Sequence, residues 1–387
     1  MSSSALPLSE KSRISSIDIA RGIIMVIMAL DHTRDYFHTD AFRFDATDLE
    51  KTNAALFFTR WITHFCAPAF ALLSGLSISV SLARKTKQEL SRFLLTRGLW
   101  LIFLEWTVMR FLMFFNLYYD MTILTVLWML GLCMVCMAAL IYLRDLWLLI
   151  LALIFIVVIN QINLPIPFLT GTGFVPVTPT VAVVVSYPLI QWLGVVLMGY
   201  LLGRFYKTDV ESEKRQRMLR SVGLSFIALF IVLRGMNFGD VSLWKSQSTP
   251  LFAFLSFLNV SKRPPSIDFI LLTIGGIFIL LSVLERASSN LLKPFHVFGR
   301  VPLFYFLLHF LIIHASALAL FMYTTGKQFS EIDLHFSKSF GGITPEGGIS
   351  LTGVYIAWIV IVIILYPICY WYDRYKTTHK KWWLSYL

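Results

Sequence analysis

The chain has 387 residues, 57% hydrophobic and only 14% charged, with a formal net charge of +11. Soluble domains carry about 25% charged residues, so this composition excludes a water-surrounded globule and points to an integral membrane protein. The positive balance reads as a topology signal facing anionic lipid, and no nucleic-acid partner is expected.

Ten apolar runs follow in order, at approximately 17–37, 61–83, 97–116, 121–142, 146–163, 181–203, 219–236, 268–286, 300–324 and 349–373. A helix needs about 17–25 residues to cross a bilayer, and each run approaches or exceeds that length. The expected fold is an all-α polytopic bundle of about ten transmembrane spans. It forms a single domain over 1–387, with 1–16 as a polar N-terminal tail. That tail carries Lys11 and Arg13, but the run behind it has no small-x-small cleavage site and reads as an uncleaved first span. The stretch Thr249–Val260 is apolar but too short to span, and is expected to lie along the membrane surface or re-enter.

Placing the N-terminus inside puts about 21 Lys and Arg in inside loops against about 8 outside, the asymmetry that topology demands. Clusters such as Arg84–Lys85–Lys87 and Lys214–Arg215–Arg217 fall inside, and the loop 164–180 carries no charge. Both termini are therefore expected in the cytoplasm, in a multi-pass protein of the inner (cytoplasmic) membrane. The longest loops, 38–60, 164–180, 237–267 and 325–348, fall on the other side, where they can shape a binding site.

The first span is unusually rich in ionisable groups: Asp18, Arg21, Asp31, His32, Arg34 and Asp35. Charges this deep are costly, so the helix is expected at the centre of the bundle, and each group is a candidate for function. Arg21 and His32 are eleven residues apart. On a helix that leaves them about 20° apart in azimuth and about 16 Å apart along the axis. One face thus presents a cation at the cytoplasmic mouth and an imidazole in the outer half. A rod-like acyl-CoA would touch both, with its phosphates on Arg21 and its thioester near His32. A neutral imidazole can deprotonate an acceptor or attack the thioester, and Asp31 or Asp35 could orient it. The alternative stays open that Asp31 to Asp35 simply cap a water-exposed helix end.

Further ionisable residues lie in other spans: His64, Glu105, Arg110, His309 and His314. Glu105 is expected to pair with an Arg or His of a neighbouring helix. His309 and His314 are five apart and do not share a face, and the four cysteines (Cys66, Cys133, Cys136 and Cys369) read as small hydrophobes. No metal is expected.

The run SSIDIARGIIMVIMALDHTRDYF at 15–37 resembles the opening helix of the heparan-α-glucosaminide N-acetyltransferase catalytic-domain family, in its bacterial branch. The second helix, the stretches 257–275 and 298–314, and the ending Tyr366–Leu387 resemble later blocks of that family in order. In a related branch of membrane acyltransferases, a basic residue, ten intervening residues and then His form a motif, which Arg21 and His32 match. The resemblance implies acetyl transfer from cytoplasmic acetyl-CoA to an acceptor across the membrane, often a sugar or a glycolipid. The match to that motif makes His32 the candidate catalytic group, with Asp31 and Asp35 beside it; the active His of the lysosomal members lies further along, so His38 competes for the role. Arg21, Arg84, Lys85 and Arg300 are expected around the CoA phosphates. Arg34, His64, Lys262 and His309 are expected around the acceptor. The rival from another class is a proton-coupled transporter or flippase, against which stands the lack of any inverted repeat in the sequence. A homodimer is compatible with this reading.

Overall fold

A computed structural model describes residues 15–41, 43–159, 166, 168–206, 210–287, 290–379 and 381–386. The tail with Lys11 and Arg13 lies outside the described residues, as do Lys207 and Lys380. Helix α1 runs Ser15–Phe37, taking in the last two residues of the expected tail. Next come α2 (Ala54–Trp61), a 3₁₀ turn over Ile62–Phe65, α3 (Cys66–Ser81) and α4 (Lys87–Leu104). A π-helical segment, Glu105–Met109, leads into α5 (Arg110–Phe114). Strand β1 (Met121–Leu124) precedes α6 (Val126–Leu140) and α7 (Asp145–Leu153), which a π segment continues to Val158. Then follow β2 (Gly173–Thr178), β3 (Val181–Val185), α8 (Leu189–Leu202), α9 (Ser212–Gly235) and α10 (Pro250–Leu258). The last helices are α11 (Ile267–Leu284), the short α12 (Lys293–Arg300), α13 (Pro302–Thr325) and α14 (Leu351–Thr378).

Among the described residues, six helical segments are long and apolar enough on their own to cross a membrane: Ala54–Ser81, Leu189–Tyr206, Ser212–Gly235, Ile267–Leu284, Pro302–Thr325 and Leu351–Thr378. Val126–Leu140 and Asp145–Val158 are apolar but shorter. The outer faces of α9 and α14 expose Leu224, Ile231, Val232, Ile356, Ile359 and Ile363, apolar side chains that suit lipid and not water. The chain is a multi-pass, predominantly helical membrane protein.

The small sheet departs from the all-helical expectation. Met121–Leu124 and Val181–Val185 stand at the heads of apolar runs read as spans, yet both are strands. They pair in parallel, Met121 opposite Ala182 through Leu124 opposite Val185, and β2 joins β3 antiparallel. The β-branched run of β3 favours the extended form, and hydrophobicity alone does not separate a short strand from a helix start. The stretch after Thr249 is a nine-residue helix, α10, capped by the Thr249 hydroxyl and too short to span.

The expectation for α1 holds. It packs against α3, α11, α12, α13 and α14, and most of its length is buried. Its contact with α12 is backbone to backbone. A Cβ on Gly22 would sit 1.8 Å from the Phe295 carbonyl oxygen, and one on Gly299 would sit 1.8 Å from that of Asp18. Only glycine allows the two helices this close.

Glu105 is buried as expected, but its partner is a helix end and not a cation. Its carboxylate accepts the Thr125 N–H at 2.8 Å, the Thr125 hydroxyl at 3.0 Å and the Trp128 N–H at 3.1 Å. It caps α6 from a neighbouring helix, satisfying amide donors that the start of α6 leaves open. Arg110 binds the Met121 and Asn116 carbonyls and Asp120, tying the turn after α5 to the first strand.

Candidate active site

Two cavities lie toward opposite ends of α1. The first, of about 340 Å³, holds His32. Asp31, Arg34 and Asp35 line it from the same helix, with Arg60, Thr63 and Cys66 opposite, Ile123 and Val184 from the sheet, and Lys262 and Arg263 from the loop before α11. The second, of about 320 Å³, holds Arg21 together with Arg97, Arg300 and Lys376. Among the described residues no carboxylate lines it; Asp18 and Asp373 pair with Arg21 and Arg300 from behind, at 2.9 and 3.0 Å.

In the histidine cavity the carboxylates serve the arginines. Asp31 accepts from Arg60 at 2.6 Å and pairs with Arg34 at 3.0 Å, and Arg34 also binds Asp35. Among the described residues neither carboxylate hydrogen-bonds His32, so the expected orienting contact is replaced. The imidazole is held by rings: Phe310 at 4.2 Å and His309 at 5.2 Å between centroids. The reason is geometric, since Asp31 points about 100° away around the helix, toward the guanidinium of Arg60. His32 is only partly buried and lines the cavity, so its nitrogens face space that a substrate can fill.

His38 also lines this cavity. Its Nδ1 accepts the Asp40 N–H at 3.2 Å, and burial lowers its proton affinity, with Asp40 opposing. Burial likewise lowers that of Lys262, with Tyr187 the main opposing influence. His64 is buried but turned toward Phe269 of α11 and does not line the cavity. His309 is fully buried behind His32 and also does not line it.

In the arginine cavity Arg21 is fixed by three acceptors: Asp18 at 2.9 Å, the Gly299 carbonyl at 3.0 Å and the Ser77 hydroxyl at 3.0 Å. Arg84 and Lys85 are exposed and lie outside the lining, although the Lys85 ammonium sits 3.9 Å above Phe93, which does line the cavity. The profile of the family described as heparan-alpha-glucosaminide N-acetyltransferase, catalytic, matches residues 13–243. The chain belongs to this family. The match covers the whole of α1 to α9, with both Arg21 and His32; Lys262, Arg300 and His309 lie beyond it. A search of curated proteins finds no match.

Membership places the chain among membrane acetyltransferases. Arg97 and Lys376 enter the arginine cavity, though both read in the sequence only as topology charges. Arg60 and Arg263 enter the histidine cavity. A signal for Arg60 existed: it stands at the end of an apolar-facing helix four residues before His64. Among the described residues no cluster of three or more His, Cys, Asp or Glu could hold a metal ion.

Proposed function

We propose that this family member moves an acetyl group from cytoplasmic acetyl-CoA, bound in the arginine cavity, to a sugar or glycolipid acceptor in the histidine cavity. The observation that carries this reading is the difference between the two cavities: four cations from several helices line one, where Asp18 and Asp373 pair with Arg21 and Arg300 from outside the lining, and an imidazole lines the other beside Asp31, Asp35 and their arginines. A polyphosphate needs fixed cations, and Arg21 is preorganised by its three acceptors. An acceptor hydroxyl or amine needs a base, and His32 offers ring nitrogens that no described residue engages.

In the direct route His32 takes the acceptor proton as the acceptor's oxygen or nitrogen bonds to the acetyl carbon. The carbon–sulfur bond breaks and the thiolate of CoA leaves, receiving the proton from the His32 imidazolium directly or through water, which restores the neutral ring. In the two-step route the imidazole itself bonds to the acetyl carbon and expels the thiolate, then passes the acetyl group to the acceptor, whose proton goes through water to the released thiolate. Arg34, Lys262 and Arg263 face the acceptor. His309 acts through His32.

The ten-span arrangement fits this reading. α1, α2 with α3, α4 with α5, α6, α7, α8, α9, α11, α13 and α14 would be the spans. Arg97, Arg300 and Lys376, which the loop charges assign to the cytoplasm, line the arginine cavity, and Arg60, Lys262 and Arg263, assigned to the other side, line the histidine cavity. Placement in the inner membrane is compatible with a cytoplasmic donor. The test is purified protein in liposomes with labelled acetyl-CoA and a panel of amino sugars and glycolipids. Label on any acceptor, lost in His32→Ala, supports the reading; a wild-type protein that labels none contradicts it.

A further inference from the structure

Three residues line both cavities: Phe70 of α3, Val126 of α6 and Phe306 of α13. The order along each helix is consistent. At the start of α6, the capping residue Thr125 lines the histidine cavity, Val126 both, and Leu127 the arginine cavity. On α3 the sequence is Cys66 and Ala67, then Phe70, then Ser74; on α13 it is Phe310, then Phe306, then Leu303. On α1, Met28 lines one cavity and Met25 the other. Three residues of helix rise about 4.5 Å, so what separates the two cavities is one layer of side chains.

That layer is wholly apolar. The Phe306 ring is buried and packs on Phe310 at 5.4 Å, and Phe310 in turn packs on His32. The polar and charged groups of both cavities stop on either side of it. Phenyl and valine side chains can turn aside for a slim group at little cost, whereas an apolar constriction of this kind dewets and stops ions.

We infer that Phe70, Val126 and Phe306 form a single-layer apolar gate that seals the two cavities from each other and sets the size of acyl group able to reach His32. The sealing part stands on the cavities alone; the acyl-size part rests on the function proposed above. A closed layer of this thickness admits a two-carbon acyl group at its edge and resists longer chains. It also keeps a membrane with a cavity from each face from leaking protons.

The test uses the full-length protein in liposomes with four single variants: Phe70→Ala, Phe306→Ala and the milder Phe70→Leu and Phe306→Leu. Two readouts are taken. The first is kcat/KM for acetyl-, butyryl- and hexanoyl-CoA. The second is proton entry into liposomes loaded with a pH-sensitive dye, without substrate. The alanine variants are expected to raise the hexanoyl-to-acetyl ratio at least about tenfold, the discrimination that one or two methylenes carry in an apolar pocket. They are also expected to leak protons faster than wild type, with the leucine variants between. Folded variants that stay proton-tight and keep the wild-type chain preference overturn the gate. Should alanine prevent folding, the leucine pair decides by the same two readouts. If wild type transfers no acyl group, the proposed function fails and the leak assay still judges the gate. If wild type is active and the variants are unchanged, the gate fails and the function stands.

Discussion

His32 and His309 stand with ring centroids 5.2 Å apart and planes inclined by 49°. Nδ1 of His309 lies 3.1 Å from the Tyr305 carbonyl, which can only accept, so Nδ1 carries the proton and Nε2 keeps a lone pair. Among the described residues Nε2 has no hydrogen-bond partner. In its neutral form the His309 ring, fixed by α13, holds an unused acceptor beside the imidazole proposed to do the chemistry. The carboxylates that would ordinarily steer a histidine are committed to Arg34 and Arg60.

This arrangement makes His309 a positioning residue. His309→Phe keeps a ring but removes the lone pair, and is expected to lower kcat about tenfold, the worth of one hydrogen bond in the transition state. KM for either substrate should change little, and the acidic limb of the pH–rate profile should move. His309→Gln should restore part of the rate. Loss of thermal stability with an unmoved pH profile would assign His309 to packing alone.

For Arg21 the relevant measurement is acyl-CoA binding by titration at several salt concentrations. Arg21→Ala is expected to weaken binding strongly and to flatten its salt dependence, because one of four cations is gone. Arg21→Lys keeps the charge but loses the fork that meets Asp18, Gly299 and Ser77, so it should fall between the two. Acceptor affinity should hold. A change in acceptor affinity alone would move Arg21 out of the donor site.

Glu105 carries no expected catalytic role. Glu105→Ala removes the cap of α6 and should cost on the order of 1–2 kcal/mol of stability, with Glu105→Gln losing less. Because α6 delivers Val126 to the layer between the cavities, the alanine variant should also alter acyl preference. Thermal unfolding in detergent reads the first effect; an unchanged melting temperature would remove the capping account.

Close approach at Gly22 and Gly299 sets a sharper limit. Gly299→Ala places a methyl carbon 1.8 Å from a backbone oxygen, which rotamer changes cannot relieve. The helices must separate, withdrawing the Gly299 carbonyl from Arg21, at a cost of about 1–3 kcal/mol or more. Reduced yield of folded protein is expected, and the surviving fraction should bind acyl-CoA more weakly than wild type. Normal folding together with normal binding would contradict the α1–α12 contact.

Much of this was legible from residue order. The charges of α1 announced a central helix, because a lipid-facing one could not carry Asp18, Arg21, Asp31 and Arg34. Eleven-residue spacing placed Arg21 and His32 toward the two ends of one helix, and each proved to line a cavity. What could not be read depended on partners distant in sequence. Glu105 looked like half of an ion pair, since composition cannot show that a helix N-terminus 20 residues on will meet it. The strands β1 and β3 hid inside apolar runs, because burial removes the polar alternation that marks a strand. Arg97 and Lys376 looked like topology signals; only the fold, which brings α4 and α14 to the same cavity as α1, turns both toward it.

The most direct measurement compares wild type and His32→Ala in liposomes, following labelled acetyl from acetyl-CoA to an acceptor while acyl-CoA binding is measured on the same samples. Removing a general base or nucleophile costs on the order of 10²–10⁴ in rate. The expected result is a loss of turnover in that range with acyl-CoA affinity unchanged, because Arg21, Arg97, Arg300 and Lys376 lie in the other cavity. A His32→Ala protein that turns over at near the wild-type rate would contradict the account.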